Sequence, residues 1–275
     1  MFHSDIRWLR RREAAVIPFF GQIYNVVLFF VLANFCVLFF FAFIEIILLS
    51  RQFLLISHQN PKGAAMQFET SRTQVAYFMQ RLYRHGLTTT SGGNISCRTP
   101  EGHVAISASK FDKGELTAEG VGVVTLDRKL LTPGIPLSIE VGIHLDIYRK
   151  RPEIMAIVHA HPVTATAFCA SKVKLDTHLT AEAYAILGDP VFIPYELMGT
   201  PKLATRVSDA MQTAACGLME NHGVITVGKT LLEAFDRLEV LEVAARHSLI
   251  VAQLGQASPL TSEQITELDH FVGRK

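Results

Sequence analysis

Between Pro136 and Pro162 the chain reads as a helix that runs directly into a strand, and no other stretch limits the fold as much. In PLSIEVGIHLDIYRKRP, Ser138 is placed to cap a helix predicted over residues 139–150. Ile139, Ile143 and Ile147 recur there at the 3.6-residue period of a buried face. After the turn at Arg151-Pro152, the short aliphatic run from Ile154 to His161 predicts a strand. A period of two puts Ile157, His159 and His161 on one side of it and Ala156, Val158 and Ala160 on the other. A strand apolar on both sides next to an amphipathic helix calls for helices layered on a sheet, the α/β class.

The same unit carries chemistry. His159 and His161 at i and i+2 point to one face and can grip one metal ion, and a catalytic zinc keeps about three protein ligands plus one open position. The third candidate is His222 in LMENHGVITVG, where flanking aliphatic runs predict strand, tight turn, strand. Gly223 is expected to take a positive φ and turn the imidazole inward. Glu140, four residues before His144 on the predicted helix, is a carboxylate placed to act as general acid/base beside a metal. Taken singly, an H-x-H pair also suits two hydrogen-bonded histidines, and Glu140 also suits a solvated first-turn residue.

Four motifs in order carry a resemblance: SGGNIS from Ser91 to Ser96, ISASKFDKGEL from Ile106 to Leu116, the S-x-E helix leading into HAHP, and ENHG from Glu220 to Gly223. Over roughly residues 66–275 the chain resembles the class II aldolase/adducin family of zinc-dependent sugar-phosphate aldolases and epimerases. The resemblance implies that His159, His161 and His222 bind Zn2+ or another divalent metal and that Glu140 is the acid/base. It also implies that Asn94 contacts phosphate or the enediolate. The family's phosphate loop T-P-T-G stands here as Ser107-Ala108-Ser109-Lys110, and its serine pair before the glutamate is Ser138-Ile139, so Lys110 replaces a glycine and one serine is missing. A lysine there offers a point charge to an anion in place of backbone amides.

For the family's second proton donor the candidates are Tyr184 and, as in a dehydratase branch, Glu182. The stretch from Ala181 to Leu187 equally reads as a core helix with Tyr184 inside and Glu182 on its solvated face. The implied activity is aldol cleavage of a small phosphorylated ketose through an enediolate held by the metal. An epimerase, dehydratase or decarboxylase of the same superfamily is the alternative, with a non-catalytic adducin-like binding domain behind it. A homotetramer is the implied assembly.

The first 65 residues need their own account. Val26 to Leu49 holds 24 residues with only Asn34 and Glu45 as polar interruptions, long enough to span about 30 Å of hydrocarbon as a helix. Arg7, Arg10, Arg11 and Arg12 precede it, which would export everything that follows. A sugar-phosphate enzyme fits the cytoplasm better. The expectation is therefore a functional start at Met66, with a membrane anchor through residues 26–49 as the alternative. The extension carries six Lys/Arg against three Asp/Glu, leaving 20 against 22 for the remainder, a balance of −2 that excludes a basic nucleic-acid footprint. Cys36, Cys97, Cys169 and Cys216 show no C-x-x-C spacing and read as reduced thiols.

The domains expected are an extension over 1–65 and a catalytic domain over 66–275. Strands are predicted at 104–107, 121–126, 154–161, 191–194, 217–220 and 224–227, and helices at 70–85, 139–150, 164–170, 202–214 and 231–254. The family adds a three-layer αβα arrangement around a mostly antiparallel sheet, preceded here by a hydrophobic N-terminal helix.

Overall fold

The structure, a computed structural model, describes residues 68–274. The apolar run from Val26 to Leu49 and the start expected at Met66 lie outside the described residues. Among the described residues, no helix is long and apolar enough to cross a membrane.

The chain forms α1 (Glu69–Arg84), β1 (Asn94–Arg98), β2 (Val104–Ser107), β3 (Val121–Val124) and α2 (Val141–Lys150). Next come β4 (Ala156–Ala160), α3 (Val163–Cys169), α4 (Ala181–Leu187), β5 (Val191–Ile193), α5 (Pro201–Ala210), β6 (Cys216–Met219), β7 (Gly223–Gly228), α6 (Leu231–Leu254) and α7 (Ser262–Phe271). One seven-stranded sheet has the order β3-β2-β1-β4-β7-β6-β5, with every pair antiparallel except β5 and β6. It is a mixed α/β fold, mostly antiparallel, as the sequence suggests.

Helices cover both faces of this sheet. Val75, Met79, Phe168, Phe235 and Leu238 of α1, α3 and α6 meet Ile95, Cys97, Val158 and Ala160 on one face. On the other, Ile143, Ile147, Leu203 and Val207 of α2 and α5 meet Ile106, Ile157, Ile225 and Val227. Ile157 and Val158 thus enter different cores, as the period of two requires.

Several predicted elements shift. Helix α2 begins at Val141, and Ile139 is 61% exposed rather than buried. Ser138 does not cap the helix itself. Its Oγ accepts the Glu140 amide proton at 3.2 Å, fixing a turn that leaves Glu140 as the N-cap residue. Helix α5 stops at Ala210, short of the predicted 214. Strand β1 and helix α7 are absent from the predicted set. The signal for α7 was readable: Thr261 and Gln264 form a reciprocal capping box.

Candidate metal centre

Strand β4 sits between β1 and β7, so His159 lies opposite both Asn94 and Ile225. Its Nδ1 proton goes to the Val224 carbonyl at 2.9 Å, which leaves Nε2 as the atom facing the site. His161 follows the strand end, in a space kept open by glycines. A Cβ on Gly92 would stand 2.9 Å from its Nδ1, and a Cβ on Gly223 would press on its ring and come 2.7 Å from the Ala160 carbonyl. Gly223 therefore serves by its lack of a side chain. The left-handed residue of the β6–β7 turn is Asn221, at φ 53°, and it is this residue that swings His222 toward β4, not a positive φ at Gly223. An asparagine tolerates that conformation better than most residues.

The three histidines offer ligand atoms that all lie within 4.8 Å of one another. His159 is buried, while His161 and His222 reach solvent in part, so the group has a closed floor and an open side. The Glu140 carboxylate lies against it, with Oε1 2.9 Å from His222 Nε2 and Oε2 3.3 Å from His159 Nε2. Burial alone would raise the Glu140 pKa, yet the close approach of His159 and His222 holds it well below the usual carboxylate range. Burial likewise opposes charge on His159, and Glu140 outweighs it, raising that imidazole. His161 is pushed down to about 4, first by burial and then by the neighbouring His159 and His222. Despite the short distances, buried His159 Nε2 and Glu140 Oε1 lack partners in hydrogen-bond geometry. One unsatisfied imidazole nitrogen and one unsatisfied carboxylate oxygen, with two further imidazoles beside them, fit a divalent cation of the zinc type.

The remaining site candidates fall into two groups. Asn94 is buried, and its Nδ2 donates to Glu140 Oε2 at 2.9 Å. Ser107 Oγ accepts the Ile95 amide proton, and the Ser109 amide donates to the Pro136 carbonyl, so the 107–110 loop is stitched to β1 and to the segment before Glu140. Lys110 is exposed and takes a left-handed φ of 65°, the conformation its glycine equivalent would favour. Of these residues, Asn94 and Ser138 bond to Glu140 directly, and the loop joins it through β1 and Pro136. Tyr184 and Glu182 do not join them. The Tyr184 hydroxyl donates to Asp269 of α7 at 3.1 Å, and Glu182 is exposed on α4 with Asp236 of α6 as a charged neighbour.

Residues 73–249 match the model of the class II aldolase and adducin N-terminal domain. The chain belongs to this family. An L-fuculose phosphate aldolase from Methanococcus maripaludis is 35% identical over 173 residues, 63% of this chain and 93% of that protein. A 3-oxo-tetronate 4-phosphate decarboxylase from Haemophilus influenzae is 32% identical over 194 residues, 68% and 90% of the two chains. The crystal structure of YgbL from Escherichia coli superimposes with a TM-score of 0.68 at 26% identity, over 73% of this chain and 98% of that one.

Around this class II aldolase-type site the structure adds residues that the sequence reading did not single out. Lys113 is 2% exposed, its Nζ donates to the Ala108 carbonyl at 2.5 Å, and burial lowers its pKa to about 8. It pins the 107–110 loop from beneath. Ser96 and Tyr148 join His144, already in phase with Glu140, in a buried polar line behind Asn94. The signal for Ser96 was its place two residues after Asn94, and for Tyr148 its place four residues after His144.

Proposed function

We propose that the chain is a metal-dependent lyase that cleaves a small phosphorylated ketose, with zinc held by His159, His161 and His222. The observation that carries the reading is the Glu140 carboxylate set against two of the three imidazoles while bonded to Asn94. A divalent ion there supplies a Lewis acid that polarises a carbonyl oxygen. The chain's own side chains do the rest. Glu140 moves the proton at the carbon beside that carbonyl, the Asn94 amide donates to oxygen, and Ser109 and Lys110 meet the phosphate on the exposed loop with Lys110 as a point charge. Ser107 and Ser138 act indirectly, since their hydroxyls hold the backbone at Ile95 and Glu140. Three histidines and a buried acid argue against a silent adducin-like binding domain.

One observation favours a second reading, decarboxylation of a phosphorylated 3-oxo acid. Aldol cleavage needs a group to take the proton from the departing aldehyde's hydroxyl, and within one chain the Tyr184 hydroxyl is bound to Asp269 and Glu182 lies on α4. Loss of CO2 needs no such group. A homotetramer belongs to the same proposal.

The test is metal analysis of the purified protein and of His222→Ala, with both screened against ketose 1-phosphates and phosphorylated 3-oxo acids. About one divalent ion per chain, lost in the variant, with aldehyde or CO2 as product, is expected. Full metal content in His222→Ala removes that residue from the ligand set. No product from either class with metal bound defeats the lyase reading.

A further inference from the structure

Glu140, His144 and Tyr148 stand at i, i+4 and i+8 on α2, facing Asn94 and Ser96 at i and i+2 on β1. Four helical residues rise about 6 Å and two strand residues about 6.6 Å, so the two elements run in step and can exchange hydrogen bonds rung by rung. Glu140 Oε2 meets Asn94 Nδ2 at 2.9 Å, Asn94 Oδ1 meets His144 Nε2 at 2.5 Å, His144 Nδ1 meets Ser96 Oγ at 2.7 Å, and Ser96 Oγ meets Tyr148 Oη at 2.9 Å. Ser96, His144 and Tyr148 are wholly buried, with 0% exposure.

Donor and acceptor roles along this line follow from chemistry. An ionised Glu140 only accepts, so the Asn94 amide nitrogen must face it and Oδ1 must face His144. Oδ1 only accepts, so His144 carries its proton on Nε2. His144 is wholly buried, and burial pushes its pKa down to about 3, so the ring is neutral and its bare Nδ1 takes the Ser96 proton. Tyr148 then donates to Ser96.

We propose that His144 is a positioning residue: locked as the Nε2–H tautomer by Ser96 and Tyr148, it holds the Asn94 carboxamide in the one orientation that turns its NH2 toward Glu140 and the substrate oxygen. Without that donor, the Glu140 bond alone orients the carboxamide, and its buried Oδ1 is left without a partner, so the amide is held at one end and swings about it. Buried amides of this kind gain their direction only from such partners. The effect on turnover rests on the function proposed above, whereas the tautomer does not.

Two measurements on the full chain keep those apart. The first is ¹⁵N NMR of histidine-labelled protein at pH 7, with the His144 resonance assigned by its loss in His144→Gln. One protonated nitrogen at Nε2 and one bare nitrogen at Nδ1 is expected, and in Ser96→Ala this pattern should shift toward a mixture of tautomers. A charged ring or an Nδ1–H tautomer in the wild type overturns the proposal whatever the enzyme does. The second uses dihydroxyacetone phosphate as probe, following exchange of its carbon-bound proton with D2O in metal-loaded protein. His144→Leu should keep its metal, melt several degrees lower because Asn94 Oδ1 and Ser96 lose their partner, and lose 10- to 100-fold in kcat with KM within about threefold, the scale of a displaced catalytic group. His144→Gln, whose amide still donates, should recover to within about threefold of wild type. Equal losses in Leu and Gln variants, or none in either, overturn the positioning role. If the Leu variant does not fold, Ser96→Ala takes its place, with a smaller kcat loss expected and an unchanged kcat counting against the proposal. A wild type that exchanges no proton defeats the functional reading alone, and the NMR result then decides the tautomer.

Discussion

Along β1 and β4 the alternating side chains enter two different environments. Ile95, Cys97, Ala156, Val158 and Ala160 pass into the apolar layer under α1, α3 and α6, whereas Asn94, Ser96 and His159 stand among polar atoms on the side of α2. Both sides are buried, so the alternation here does not sort inside from outside. One side is packing alone, and on the other chemistry is set beside a second core that Ile157 enters with Ile143 and Ile147. On the apolar side, stability comes from area removed from water, roughly 25 cal/mol per Å². The polar side must instead satisfy each group it buries, because an unpaired one costs about 1–3 kcal/mol. It does so through the line from Tyr148 to Glu140, and among the atoms left over are Glu140 Oε1 and His159 Nε2 at the candidate metal position. Glu242, 3% exposed, is the apolar side's own buried acid. Its carboxylate accepts the Thr164 and Ala165 amide protons at the start of α3 and pairs with Arg246 of α6. A carboxylate whose partners are helix amides and an arginine holds structure, and one whose partners are histidines and a carboxamide is available for chemistry.

The sharpest way to break that division is a pair of substitutions, one on each side. Glu140→Gln keeps the shape of the side chain and removes the proton acceptor. Turnover should fall by about 10²- to 10⁴-fold with the melting temperature within a few degrees of wild type. Phe235→Ala empties a fully buried site of the apolar layer and should cost about 3–5 kcal/mol in urea unfolding, while the folded fraction keeps wild-type turnover. If Glu140→Gln unfolds the protein, or Phe235→Ala abolishes turnover in folded molecules, packing and chemistry are not separated by the sheet.

That division also explains what could be read from the sequence. Strand β2 and helix α6 were legible to the residue, because Val104–Ser107 and Leu231–Leu254 are unbroken apolar or periodic runs with clear ends. Strand β1 was not. Its segment NISCR follows a glycine pair and carries polar residues on one face, so it reads as loop, although Asn94 to Cys97 are all buried. Burial of polar groups in the middle of a sheet is invisible until the partners on α2 are in place. The three histidines and Glu140 came forward from residue type and spacing. The contacts of Tyr184 were out of reach for the opposite reason, since Asp269 lies 85 residues away on a helix that the periodicity did not reveal. Ile139 misled because an isoleucine in phase with Ile143 and Ile147 looks buried, yet the Ser138 turn puts it one step outside the helix.

A smaller effect concerns Lys113, whose ammonium sits buried under the 107–110 loop on the Ala108 carbonyl. Its folded pKa of about 8 is below the ordinary 10.5, with burial as the cause. The unfolded chain therefore holds that proton more tightly, and the charge opposes folding at all pH values below 8. The penalty fades as pH rises from about 8 to 10.5. Lys113→Met removes it. The wild type should accordingly gain about 2 kcal/mol on the variant between pH 7 and pH 10 in urea unfolding, and subtraction cancels the opposing titration of the buried thiols at Cys97, Cys169 and Cys216. A difference that does not change with pH would mean that the ammonium is solvated in the folded protein.

The smallest effect sits at Lys110, where shape and charge pull in different directions. A residue with a Cβ at φ 65° is strained by about 1 kcal/mol relative to glycine, and a glycine there costs part of that back through the freer unfolded chain. Lys110→Gly should thus stabilise the protein by about 0.5 kcal/mol. The same change removes the exposed charge from the loop assigned to phosphate, so KM for a phosphorylated probe should rise about three- to tenfold at low salt with kcat unchanged. At 0.5 M salt the two proteins should converge, because an exposed charge is screened over a few ångströms there. Lys110→Ala separates the causes, since it loses the charge and keeps the strain. A KM that stays at the wild-type value in both variants at low salt would show that the lysine merely occupies the glycine's place, and the anion would then be held by backbone amides of a loop whose conformation matters more than its side chain.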